Sequence, residues 1–106
     1  MPKYLIHATY TASGAKGLLK SGGTARRKAV ETLLAQLGGK LETFYFTFGD
    51  EDAILIIDLP DQVAASAVGL AVSASGSIRT RSTVLIDPEE VDKASRMKID
   101  FHPPGE

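Results

Sequence analysis

Five side chains in this 106-residue chain have the chemistry of an acid–base or anion-binding site: His7, Tyr10, Tyr45, Asp52 and Arg79. His7 sits in "KYLIHATY" among apolar neighbours. Facing a cavity it could pass protons near neutral pH; hydrogen-bonded in a core it would be structural. Asp52 closes "GDED", three successive acids after Gly49. Adjacent side chains diverge, so these carboxylates do not converge as catalytic pairs or metal ligands do. The run reads as a hairpin turn solvated by its charges. Asp52 would become an acid or base only if buried near the end of the first strand.

Arg79 and Arg81 lie two apart on a strand, hence on one face about 6–7 Å apart. Such a pair can grip a carboxylate or phosphate. It can equally pair with Asp52, Glu42 or a partner subunit, and an Arg79–Asp52 contact would anchor the last strand to the turn. Tyr10 and Tyr45 bring rings for packing and hydroxyls that need partners. His7 and Asp52 are thus the candidate catalytic residues, and all five are candidate ligand contacts.

Other chemistries find little support. His102 is the only other histidine and cysteine is absent, so neither a metal site nor a resident cofactor is expected. "TARRK", Thr24–Lys28, reads as a solvated helix start without stacking aromatics. "SGG" at Ser21–Gly23 lacks the Gly-Lys-Ser/Thr ending of a phosphate loop. The formal net charge of -1 gives no pull toward nucleic acid or anionic membrane. Hydrophobic residues at 43% and charged ones at 24% are ordinary for a globular chain. The first residues do not read as a signal peptide, and "AILII" (Ala53–Ile57) is too short to span a bilayer. A cytoplasmic location is the resulting expectation, and the absence of cysteine fits it.

These residues need elements to place them. Lys3–Tyr10 alternates as a first strand, with Tyr4, Ile6, Ala8 and Tyr10 on one face. Ala15, Leu18 and Leu19 follow at helical spacing until Gly22-Gly23 interrupts them. Thr24 is then placed to cap a helix whose stripe is Val30, Leu33, Leu34 and Leu37, ended by Gly38-Gly39. Lys40–Phe48 and Asp52–Leu59 read as strands around a short turn. Pro60-Asp61 opens a helix from Gln62 to about Ser75, whose small side chains would let it lie close to a sheet. Ile78–Ile86 is a fourth strand, and Asp87, Pro88 and Glu90 start a short last helix. Residues 1–96 form one expected domain and 97–106 an extended tail.

The order β-α-β-β-α-β implies an α+β, ferredoxin-like plait: a four-stranded antiparallel sheet, order 4-1-3-2, with helices on one face. The third strand is apolar on both faces, with Ile54 and Ile56 on one and Ala53, Leu55, Ile57 and Leu59 on the other. A lone plait leaves one face to water, and so large an apolar patch is rarely left there. Burying four such side chains is worth roughly 6–10 kcal/mol before entropy is subtracted. A homodimer through the open face supplies that burial, unless the C-terminal segment folds back over it.

"GAKGLL" (Gly14–Leu19), "GGKLETFYFTFGDED" (Gly38–Asp52), "IIDLPD" (Ile56–Asp61) and "GSIRT" (Gly76–Thr80) together resemble the GYD-domain proteins. Those are small, largely uncharacterised bacterial proteins placed among the dimeric α/β barrels. The resemblance covers roughly Lys3 to Glu90. Gly49 and Asp52 match the Gly-x-Tyr-Asp signature, whereas Glu51 stands where the tyrosine belongs. The resemblance implies a plait and a sheet-to-sheet dimer, and no agreed activity comes with it.

Three functions follow as expectations. The first is a dimer binding a small hydrophobic or anionic molecule between sheet and helices. The second is a cofactor-free oxygenase or isomerase with His7 or Asp52 as base. The third is an assembly or regulatory module that binds protein.

Overall fold

A computed structural model describes all residues, Met1–Glu106. The elements run β1 (Lys3–Tyr10), α1 (Ala12–Ser21), α2 (Gly23–Ala35), β2 (Lys40–Phe46), β3 (Ala53–Asp58), α3 (Gln62–Ala74), β4 (Ile78–Leu85) and α4 (Pro88–Ser95). The strands form one antiparallel sheet in the order β2-β3-β1-β4, which is the plait order expected from the sequence. No helix is long and apolar enough to cross a membrane.

Alternation assigns the two faces. Tyr4, Ala8, Leu55 and Ile57 are buried on the helix side, packed with Val30 and Leu34 of α2. Their neighbours Leu5, His7, Ile54 and Ile56 point the other way, since successive strand residues face opposite sides. A bulge at Glu42 shifts the β2–β3 register between Leu41 and Thr43, keeping Phe44 and Phe46 on the helix side. There the two rings meet edge to face with centroids 5.0 Å apart.

The first crossover departs from the sequence reading. Ala12–Ser21 is a complete helix, because the Thr11 hydroxyl accepts the Gly14 N–H and caps it. Thr24 caps nothing; α2 already begins at Gly23, with Gly22 at φ +88° as the hinge between α1 and α2. Gly23 also gives the Phe46 ring its place, since a Cβ there would lie 2.8 Å from it. The later helix starts follow the sequence more closely. Asp61 caps α3 through the Ala64 N–H at 2.9 Å, and Asp87 with Glu90 forms a capping box on α4.

The core is small: ten of the 106 residues are buried. Two features explain this. No residue of α3 is buried, and its short side chains leave a space above the sheet unfilled. Every residue from Ile86 to Glu106 is exposed, Phe101 included, so the C-terminal segment does not cover the open sheet face. That segment stretches the chain to 58 × 32 × 23 Å and a radius of gyration of 17.2 Å, against about 13 Å for a compact chain of this length.

Candidate functional site

The topology divides the five sequence-derived residues between two places. His7, Tyr45 and Arg79 lie on the open sheet face, whereas Tyr10 lies on the helix face. Asp52 sits between them at the β2–β3 turn. One pocket between sheet and helices therefore cannot use His7, Tyr45 and Arg79; of the five, Tyr10 alone lines it.

On the open face, β1–β4 pairing puts His7 opposite Arg81 and Thr9 opposite Arg79. Glu51 swings over this corner. Its Oε1 accepts from Arg81 Nη2 at 2.6 Å and lies 3.6 Å from His7 Nδ1. His7 Nδ1 is buried and makes no hydrogen bond. With Thr9, Asp50 and Arg79 these groups frame a shallow hollow of about 160 Å³. At the opposite end, Lys3 donates to Asp58 at 2.8 Å and Glu42 at 2.6 Å. Those bonds, Asp58's first, raise the ammonium's pKa well above the usual lysine range. Leu5, Tyr45, Ile54 and Ile56 fill the area between these charged ends.

Asp52 does not contact Arg79. Its Oδ2 accepts the Tyr10 backbone N–H at 2.9 Å, and its own N–H donates to the Ala8 carbonyl at 2.9 Å. The physical reason is register: β3 begins only at Ala53, opposite Ala8, while β1 runs on to Tyr10. The carboxylate replaces the missing strand partner. The link from the turn to β4 is made instead by Glu51 and Arg81.

On the helix face, α2, α3 and the sheet enclose a cleft with about 80 Å³ of free space, and 13 of its 17 lining residues are hydrophobic. Val30 and Leu34 of α2 face Val68 and Val72 of α3 across it, over a floor of Ile6 and Leu55. Tyr10 and Arg26 stand at one end. Burial pushes the Tyr10 phenol above its ordinary pKa; the Arg26 guanidinium beside it opposes the rise, and the Asp52 charge adds to it. No three His, Asp or Glu side chains converge as a metal site.

Sequence reasoning missed Arg26 and Glu51. For Arg26 a signal existed: it precedes Val30 by four residues, on the stripe that faces the sheet. Its basic neighbours masked that position. For Glu51 strand parity gave none, because alternation stops at Ala53 and the turn, with Gly49 at φ +123°, sets its direction.

A four-stranded antiparallel plait with an apolar cleft beneath its helices defines a class of α+β domains. The GYD domain model matches residues 4–95, and the chain belongs to that family. No curated protein matches the chain. Among solved structures it is similar to a feast or famine regulatory protein from M. tuberculosis complexed with L-methionine. That match has a TM-score of 0.58 at 17% identity and covers 82% of this chain and 51% of the other. A leucine response regulatory protein of Mycobacterium tuberculosis matches with a TM-score of 0.51 and 14% identity, over 81% of this chain and 51% of that one. The chain spans about half the length of both, and at these identities the likeness is one of fold.

Proposed function

We propose that this chain is a small-molecule-binding plait that pairs with a second copy through its open sheet faces. The observation behind the reading is the cleft: an apolar space left open under α2 and α3 in a chain with only ten buried residues. Pockets for small molecules are concave and mainly apolar with a few placed polar groups, and this one has Tyr10 and Arg26. That the regulatory protein of similar fold is complexed with L-methionine supports a small ligand by analogy only.

The open face supports the dimer. Its apolar centre between two charged ends has the core-and-rim composition of an interface. In such a pair, His7, Glu51, Arg79 and Arg81 would meet the second copy, and the hollow beside His7 would belong to the interface. The domain of residues 1–96 carries both features, with 97–106 as a tail.

Two measurements test the reading. Light scattering should give twice the chain mass of 11.3 kDa, and Ile56→Asp should return it to one. Native mass spectrometry and methyl NMR should detect small molecules in the cleft, and Gly69→Leu, which fills it, should exclude them. Gly69 lines the cleft and has nothing within 4 Å of a Cβ placed there. A monomeric wild type would overturn the pairing, and ligand binding unchanged by Gly69→Leu would overturn the cleft.

A further inference from the structure

Arg26 is the charged group that the fold leaves unanswered inside. Its side chain is half-buried at the end of the apolar cleft, yet no carboxylate lies within ion-pair distance of it. Lys3, the one other Lys or Arg that is not exposed, has Asp58 and Glu42 as partners. A guanidinium partly withdrawn from water without a counter-charge is costly, and an incoming anion would offset that cost. Asp52, whose Oδ2 accepts the Tyr10 N–H, makes no ion pair with Arg26.

The surroundings of Arg26 define the shape of that anion. On one side lies the 80 Å³ apolar cleft; on the other, α1 and the start of α2 frame a wider vestibule of about 320 Å³. Tyr10, Arg26 and Ile78 border both spaces. The vestibule is lined by Ser13, Ser21 and Ser77 and by glycines, so it leads water and solutes to the guanidinium. A molecule entering this way would meet the charge first and the apolar space beyond it.

We propose that the cleft binds a short apolar monocarboxylate, its tail between α2, α3 and the sheet and its carboxylate on Arg26 beside the Tyr10 hydroxyl. This rests on the small-molecule reading of the cleft and adds the ligand's chemical class. The size follows from the free space. An apolar cavity of about 150 Å³ accepts benzene, a six-carbon ring, so roughly half that volume suits a tail of about three carbons. The charge follows from Arg26, whose planar fork suits a carboxylate.

Butanoate and butanamide, equal in shape and different in charge, are the probes. Titrated into the wild-type protein and followed by methyl NMR, butanoate should shift Val30, Leu34, Val68 and Val72 and bind at least tenfold tighter than butanamide. Arg26→Gln should bring the two affinities within about twofold while butanamide still binds, which also shows that the variant is folded. Equal affinities in the wild type, or a tenfold preference surviving in Arg26→Gln, would overturn the carboxylate assignment and leave the cleft reading standing. Shifts confined to Leu5, Ile54 and Ile56 would place the anion on the open face beside Arg79 and Arg81 and would likewise overturn it. If neither probe moves any cleft methyl, the cleft reading fails and this inference with it.

Discussion

The Asp52 carboxylate accepts the Tyr10 backbone N–H at 2.9 Å, completing a strand that its own neighbour β3 is too short to pair. The bond is partly buried and charge-assisted, a type worth about 1.5–3 kcal/mol when lost. Asp52→Ala should therefore destabilise the protein by about 1–2 kcal/mol, allowing for solvent that can reach the freed N–H. Asp52→Asn keeps an acceptor and should recover more than half. Chemical denaturation reads both values; equal losses in the two variants would show that the bond is not the cause.

Glu51 accepts a hydrogen bond from Arg81 at 2.6 Å, tying the β2–β3 turn to β4. The Arg81 side chain is 65% exposed, so the pair is worth at most about 1 kcal/mol. Glu51→Gln should cost less than that, and the loss should shrink as salt is raised. A loss above about 2 kcal/mol, unaffected by salt, would mean that His7 depends on Glu51 more than the 3.6 Å separation implies.

Tyr10 gives the pH dependence its sign. Burial raises its pKa in the folded state above the ordinary 10.0, so folding favours the neutral phenol. The stability tied to that preference is complete below pH 10 and falls as pH rises through the folded-state value. Lys3, raised by Asp58 and Glu42, acts in the same direction and only in the alkaline range. Neither residue changes stability across neutral pH. Ultraviolet titration should show a late tyrosinate phase that disappears in Tyr10→Phe. In Arg26→Gln it should move later still, because the cation that opposes the rise is gone. An early phase lost in Tyr10→Phe would contradict the burial.

The fold was legible in the sequence because its signals were periodic. Alternation in Lys3–Tyr10 and Ala53–Asp58, the Val30–Leu34 stripe and the capping residues Asp61 and Asp87 each act locally and agree with one another. The site was harder to read, since it depends on register and turn geometry. Where β3 begins relative to β1 decides that Asp52 bonds Tyr10 and not Arg79. The cleft arises from what α3 lacks: Ala65, Val68 and Gly69 line it without filling it, and an unfilled volume has no motif.

Two glycines separate space from conformation. Gly39 and Gly69 both have ordinary backbone angles, so alanine is strained at neither. A Cβ on Gly39 would lie 2.4 Å from the Asp58 carbonyl oxygen and 2.7 Å from Leu59 Cδ2, between the end of α2 and the last residues of β3. Backbone cannot yield there without parting helix from strand, so Gly39→Ala should cost about 1–3 kcal/mol. On Gly69 the same atom would enter open space in the cleft, in the middle of α3. Gly69→Ala should therefore stabilise by about 0.5–1 kcal/mol, the difference in helix propensity. In a domain near 100 residues each kcal/mol moves the melting temperature by roughly 4–8 °C, so a thermal melt resolves the opposite signs. A destabilised Gly69→Ala would mean that α3 closes onto the sheet in solution and that the cleft is filled.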